Sequence, residues 1–317
     1  MQDSNNGIIK LFYKLLLLII LSVLVIVSYN TLYLKIALYE RNPEFSITKF
    51  KSVPRDIEVC NFGNSLGVDA FGDYSGIDCN CFNFALSAQS LSYDYRILQQ
   101  YKDYIGKDGI VFISLSYFCF QVDEENEEGF LAKNERYYYF LKPEYVKGCS
   151  WIEYAFIHTL PVLWQSPISL IQKTEAYMDE KSKGANENHI DYQKSAKELY
   201  NGRIVTDLDG NLIINDEELN SLYGMIDICK EINAKPILII TPYRKEYTDL
   251  FDDNFKDQYY SLLHDICAEK DCELFDFSQD VRFNKNDDCF DYAYHLNYYG
   301  SSQFMDIISS EILDKYK

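Results

Sequence analysis

The sequence predicts an α/β fold, namely a three-layer, flavodoxin-like parallel sheet of about five strands with a helical insertion, preceded by one N-terminal transmembrane helix. Short apolar runs alternate with longer helical patterns along the chain, as is typical of a parallel sheet that helices cover on both faces. Near the amino terminus lies a stretch of twenty uncharged residues. A helix of that length spans about 30 Å, the thickness of the hydrocarbon layer.

The uncharged stretch lies between Lys14 and Lys35 and reads LLLLIILSVLVIVSYNTLYL. Its length, and the lack of a small-residue cleavage site after it, favour an uncleaved anchor over a signal peptide. Positive charges flank it on both sides, so their count does not decide its orientation. We expect the usual arrangement for such a chain, with a single-pass anchor, a short inner tail and an extracytoplasmic catalytic domain.

The domain boundaries follow from these patterns. We expect a tail and anchor over residues 1–35, a polar stalk over 36–55 and one α/β domain over 56–317. An acidic, tyrosine-rich insertion with helical patches occupies about 121–215. The predicted strands are 57–62, 81–86, 110–118, 235–242 and 272–277, and the predicted helices outside the insertion are 90–105, 217–233, 254–269 and 299–315.

Composition excludes several classes of function. The formal net charge of −19 repels phosphate backbones, so we expect no nucleic-acid partner. The nine cysteines are odd in number and contain no CxxC pair, and we interpret most of them as small buried apolar residues. The chain has no glycine-rich phosphate loop and no cluster of histidine and cysteine ligands, so neither a cofactor nor a metal is expected.

A candidate nucleophile follows the first predicted strand, in the turn Gly63-Asn64-Ser65. Ligands of open parallel sheets bind at the carboxyl ends of the strands, so the Ser65 hydroxyl lies at the expected edge. Its backbone N–H falls near a helix N-terminus, which favours developing negative charge. The turn is equally well explained as an ordinary helix cap, because serine and asparagine are good capping residues.

A candidate base precedes the last predicted helix. Of the four histidines, only His295 follows a run of acidic residues, with Asp291 as the expected orienting carboxylate and Asp288 as an alternative. We interpret His158, His189 and His264 as structural or surface residues. The segment around His295 also fits a plain helix start that Asn297 caps.

Together, these two segments resemble the SGNH (GDSL) hydrolase superfamily, and the segment HLNYYGSSQF resembles the branch near DltD and the alginate-acetylation proteins. The resemblance covers about residues 56–118 and 235–315. It implies that Ser65 is the nucleophile, that His295 is the base and that Asp291 orients it. It also implies that an oxyanion hole forms from the N–H of Ser65, the N–H of Ala85 and Ser116.

The chain departs from the superfamily's pattern in that Ala85 and Ser116 replace the usual oxyanion glycine and asparagine. Asn64, Tyr243 and Arg244 follow strands at the same sheet edge and are the expected substrate-binding residues.

The resemblance implies a membrane-anchored serine esterase or O-acyltransferase acting on acyl esters of cell-envelope polysaccharides. A membrane-bound O-acyltransferase is an expected partner. Two alternatives remain open at this point. One is a non-catalytic module that binds a glycan or such a partner, and the other is an anchored protein that faces the cytoplasm.

Overall fold

The computed structural model describes residues 2–40, 46–72, 74–121, 134–182 and 191–316. The chain divides into two compact units. One contains residues 1–41 and 135–186, and the other contains residues 42–134 and 187–317.

The helices and strands are numbered along the chain. The helices are α1 (Gln2–Ala37), α2 (Ser65–Ala70), α3 (Leu91–Tyr101), α4 (Trp151–Thr159), α5 (Pro167–Ser182), α6 (Tyr192–Arg203), α7 (Asp216–Glu231), α8 (Lys245–Thr248), α9 (Asp253–Lys270) and α10 (Tyr298–Ile307). The strands are β1 (Ile57–Phe62), β2 (Cys81–Asn83), β3 (Ile105–Leu115), β4 (Lys235–Ile240), β5 (Glu273–Asp276), β6 (Phe290–Tyr292) and β7 (His295–Leu296).

The larger unit is built on a five-stranded sheet in the order β2-β1-β3-β4-β5, in which every neighbouring pair is parallel. This is the flavodoxin-like strand order, and the predicted fold class is confirmed. The central strands are almost wholly buried, as expected for a sheet that is covered on both faces. Strands β6 and β7 form a separate antiparallel pair just before α10.

Helix boundaries in this unit follow from polar caps. The side chains of Ser90, Asn215 and Asp252 accept hydrogen bonds from backbone N–H groups in the first turns of α3, α7 and α9. A turn is present at residues 209–210, with Gly210 at φ +80° and an antiparallel bridge between Thr206 and Leu212.

The smaller unit contains α1, α4 and α5. From Gly7 to Ala37, helix α1 is long and apolar enough to cross a membrane. Its most apolar 18 residues have a mean hydropathy of 2.7 and are not buried in the protein. Such a helix near the amino terminus fits either a membrane anchor or a signal sequence.

Candidate active site

Ser65 is the first residue of α2, and it lies directly beyond the carboxyl end of β1. The preceding Asn64 caps the helix, since its Oδ1 accepts the N–H of Leu66 at 3.0 Å. The serine hydroxyl is half-buried. The structure therefore places Ser65 at the sheet edge that the sequence predicted.

Gly63 makes the sharp turn from β1 into α2. Its φ of +141° is a conformation that side-chain-bearing residues rarely adopt. A Cβ atom at this position would lie 2.8 Å from the Cβ of Ser114 and 3.0 Å from its carbonyl oxygen, on strand β3. The close approach of the turn to β3 therefore requires glycine, and the Gly63 N–H is held by Oδ1 of Asp94 at 2.9 Å.

His295 lies in β7, where it pairs with Tyr292 of β6. Its ring is half-buried and lies beside Tyr294, with 4.8 Å between the ring centroids. Immediately after this strand, Asn297 caps α10 by accepting the N–H of Gly300 at 2.9 Å. The cap turns the chain away from the sheet and leaves the histidine at the same edge as Ser65.

Ser65 and His295 line one cleft of about 660 Å³. That volume is within the range of sites for small-molecule ligands. The residues that line the cleft come from α2, the loop before α3, the β6–β7 segment and the start of α10: Ser65, Asp69, Gly72, Ser87, Ala88, Asp291, Tyr292, His295, Leu296, Asn297, Tyr298 and Ser301. The structure thus brings together two chain segments that are separated by more than half of the sequence.

The carboxylate that holds the histidine is Asp69. Its Oδ2 is hydrogen-bonded to Nδ1 of His295, and its side chain is 15% exposed. The expected orienting residue, Asp291, lies on the cleft wall but is exposed, and it is not the partner of Nδ1. The carboxylate that orients His295 is therefore Asp69, and the prediction of Asp291 for this role is corrected. Asp69 lies one helical turn after Ser65, so it faces the cleft from the same side of α2.

Two carboxylates surround His295, and each has a raised pKa. Burial raises the pKa of Asp69, the hydrogen bond and charge of His295 oppose this rise, and the nearby charge of Asp291 adds to it. Desolvation likewise raises the pKa of Asp291, against the effect of His295. Repulsion between the two carboxylates therefore contributes to the raised pKa of Asp69.

Two of the three predicted oxyanion donors lie outside the cleft. Ala85 is fully buried, and its N–H is already bound to Oδ1 of Asn83 at 3.0 Å. Ser116 is also buried, and its Oγ accepts a hydrogen bond from Nδ2 of Asn64 at 3.3 Å. The structure does not bring Ala85 or Ser116 to the cleft, because both are buried and are bonded within the protein. Ser65 itself remains in place.

Ser87 and Ala88 line the cleft where those donors were expected. Ala88 has a φ of +51°, the left-handed conformation that favours glycine. Such strain in a residue other than glycine is often kept at functional sites. The backbone of Ala88 is thus a strained position on the wall of the cleft. Residue identity alone gave no signal that Ala88 adopts this conformation.

The three expected substrate-binding residues do not line the cleft. Both ends of the Asn64 amide are used within the protein, as the helix cap and the bond to Ser116 show. Tyr243 is fully buried among other aromatic rings, including Tyr117 and Tyr247. These assignments are corrected, since a strand end at the right sheet edge does not guarantee a side chain that faces the cleft.

Arg244, the third of them, supports the segment that carries His295. Its side chain is 5% exposed and forms ion pairs with Glu246 at 2.9 Å and Asp287 at 2.7 Å. It also lies over the ring of Tyr192, 3.8 Å from its centroid. Its backbone N–H donates to the carbonyl of Ala293 at 2.9 Å, two residues before the histidine. Arg244 is therefore a positioning residue for His295.

Of the other three histidines, the two that the structure describes do not line the cleft. His158 bonds the carbonyl of Tyr138 through Nδ1 at 3.0 Å and stacks on Tyr154. His264 is exposed on α9, and His189 lies outside the described residues. Within the part of the chain that the structure describes, no three histidine, cysteine or acidic side chains are grouped as metal ligands would be.

Comparisons with known proteins add little to this site. No family model matches the chain, and no curated protein matches it. One solved structure that it resembles is a Bacteroides fragilis protein provisionally described as an acylhydrolase. The two share 11% identity with a TM-score of 0.39, over 85% of this chain and 95% of the other. A likeness at that level carries no functional argument.

Proposed function

We propose that this chain is a membrane-anchored serine esterase or O-acyltransferase in which Ser65 is the nucleophile. The observation that carries the proposal is the shared cleft of Ser65 and His295, with Asp69 bound to Nδ1 of the imidazole. A serine, an imidazole and a carboxylate in this arrangement are the elements of nucleophilic acyl transfer.

In the proposed reaction, Asp69 holds the His295 proton on Nδ1, so that Nε2 accepts the proton of the Ser65 hydroxyl. The serine oxygen attacks the ester carbonyl, and the tetrahedral oxyanion is stabilised by the N–H of Ser65 with a donor from Ser87–Ala88. The intermediate collapses as His295 protonates the leaving alcohol. Water or a second hydroxyl then attacks the acyl-serine, with His295 as base, and the serine is released.

The character of the cleft supports an acyl ester of a carbohydrate as the substrate class. Tyr292 and Tyr298 line the cleft while remaining 50% and 78% exposed, so their rings are available to stack on a sugar. Asp291 adds a hydrogen-bond acceptor for sugar hydroxyls at the same wall. The carboxylates disfavour anionic ligands. We propose cell-envelope polysaccharides as the source of such esters.

We propose further that α1 is a retained anchor and that it is not a cleaved signal. Asn30 is buried, donating to the carbonyl of Thr159 and accepting the N–H of Val162, both at 3.3 Å. Tyr33 is 4% exposed, and its hydroxyl accepts from Lys173 at 2.7 Å. Cleavage after the apolar stretch would remove these partners from the smaller unit. The proposed orientation is extracytoplasmic, and the expected partner in transfer is a membrane-bound O-acyltransferase.

A non-catalytic binding module is the second candidate. The observation that favours it is the absence of Ala85 and Ser116 from the cleft, since each lost oxyanion donor costs about 2.7–4 kcal/mol of transition-state stabilisation. Such a module would use the same cleft to hold a glycan or an acyltransferase without turnover.

Reaction with a fluorophosphonate separates the two candidates, because this probe bonds only to an activated serine. We expect the full-length protein to be labelled, and the Ser65→Ala and His295→Ala variants to lose labelling. The matched control is His264→Ala, which removes an exposed imidazole and leaves labelling unchanged. A folded wild-type protein that does not react would favour the binding module.

A further inference from the structure

The smaller unit exposes an unusual set of large apolar side chains on α4, on the turn after it and on α5. Six of those within residues 151–171 are between 43% and 72% exposed. We call them the tryptophan patch: Trp151, Ile152, Leu163, Trp164, Ile168 and Ile171. Exposed apolar side chains that are concentrated within residues 151–171 indicate an interaction site. The chain has only two tryptophans, and both belong to the patch.

The patch is attached to the carboxyl-terminal part of α1. The buried amide of Asn30 bonds the backbone on both sides of residue 160, through Thr159 and Val162. Just after the end of α1, the ring of Tyr39 packs edge-on against Tyr177 of α5, with 5.0 Å between the centroids. These contacts hold α4 and α5 against the chain around the end of α1, just beyond the exposed apolar residues of that helix.

The position of that attachment corresponds to a membrane interface. The apolar stretch of α1 runs without interruption up to Val27, apart from Ser22, and Asn30 lies three residues further on. Three residues of helix advance by about 4.5 Å. If the hydrocarbon layer ends near Val27, where the wholly apolar residues end, Asn30 and the segments bonded to it lie at headgroup level. Tryptophan is enriched at that depth, because its ring is apolar while its N–H needs a polar partner.

We infer that the tryptophan patch rests in the headgroup region of the bilayer that α1 enters. This inference rests on the proposed anchor and does not depend on the proposed chemistry. The occupant of the patch is lipid, since the segments that carry the patch are bonded to α1 just beyond the exposed apolar residues that lipid would cover. A single helix can rotate about its axis and tilt, whereas a helix with a laterally attached apolar patch holds its unit in one orientation.

The test places the full chain in phospholipid vesicles and measures the fluorescence of its two tryptophans. We expect blue-shifted emission, strong quenching by lipids with brominated acyl chains, and little quenching by acrylamide from the water. Bromines near the headgroups are expected to quench more than bromines near the bilayer centre. The variants Trp151→Phe and Trp164→Phe each leave one tryptophan, so that the fluorescence of Trp164 and of Trp151 is measured separately.

Two further variants make the test specific. Ile168→Glu places a charge within the patch, and we expect it to raise acrylamide quenching severalfold. The matched control, Val281→Glu, changes an 86% exposed valine in the other unit and should leave the emission unchanged. Vesicle-bound protein whose tryptophans remain open to acrylamide and insensitive to brominated lipid would overturn the inference. Protein that does not bind vesicles at all would overturn the anchor and the patch together.

Discussion

Replacing Asp69 with asparagine tests which carboxylate serves His295. The asparagine has nearly the same shape, but it carries no charge and presents an amide to Nδ1 of the imidazole. If the amide donates, the ring proton moves to Nε2, and the histidine can no longer accept the serine proton. If the amide oxygen accepts, the imidazolium that forms during the reaction loses its counter-charge. Either outcome removes the function that the structure gives to Asp69.

The expected loss of kcat differs between the Asp69→Asn and Asp291→Asn variants. Loss of the carboxylate that orients a catalytic histidine costs about 10⁴-fold in kcat, as seen for serine proteases. A factor of that size corresponds to about 5 kcal/mol of transition-state stabilisation. Asp291 is exposed and does not hold Nδ1, so its interaction with the ring is screened and worth about 1 kcal/mol at most. We therefore expect Asp291→Asn to change kcat by less than about tenfold.

The assay compares both variants on p-nitrophenyl acetate and by their rate of reaction with a fluorophosphonate. The profile against pH adds a second readout, because the charge of Asp291 raises the pKa of Asp69. Asp291→Asn removes that charge, so the acidic limb of the profile should move to lower pH. The reasoning is refuted if Asp291→Asn is as damaging as Asp69→Asn, or if Asp69→Asn keeps near wild-type activity.

Three further predictions concern stability and positioning. Gly63→Ala should lower the free energy of unfolding, measured in urea, by about 2 kcal/mol or more, because the new methyl group meets Ser114 at 2.8 Å and the positive φ is strained. In the control, Gly202→Ala, the new methyl group has no atom within 4 Å and should not lower this free energy. Arg244→Lys should lower kcat with little change in KM, since a lysine cannot keep the paired contacts that hold the His295 segment; unchanged kcat would contradict the positioning role. Burial raises the pKa of Asp69 in the folded protein, so ionisation of this carboxyl opposes folding. The stability that its protonated form contributes is fully present below the pKa of the unfolded chain, about 3.9. That stability is lost as the pH rises through the pKa of the folded protein. Asp69→Asn should therefore unfold at a higher temperature than wild type at pH 7, with the difference vanishing near pH 3.

The sheet could be predicted from the sequence because each strand is a short apolar run between polar caps. The run KPILII, for example, has five of six residues buried in β4, so its hydropathy and its environment agree. Ser65 could be predicted for a similar reason, since a glycine after a buried strand forces a turn at the carboxyl edge. His295 followed from its place before a capped helix.

The rest of the site depends on distances across the fold that the sequence does not encode locally. Asp69 is separated from His295 by 226 positions, and only its helical spacing from Ser65 could have marked it. Ala88 was missed because its left-handed backbone is set by the packing of a loop. Tyr243 was misassigned, since an edge position on β4 leaves open whether the ring faces the cleft or the core.

The most direct test of Ser65 as nucleophile is mass spectrometry of the protein, quenched in acid shortly after mixing with p-nitrophenyl acetate. We predict an acetyl group on the peptide that contains Ser65, formed in step with the release of p-nitrophenol. The adduct should be absent from the Ser65→Ala variant. Stoichiometric release of p-nitrophenol with no acetyl group on Ser65, or with the acetyl group on another residue, would contradict the account.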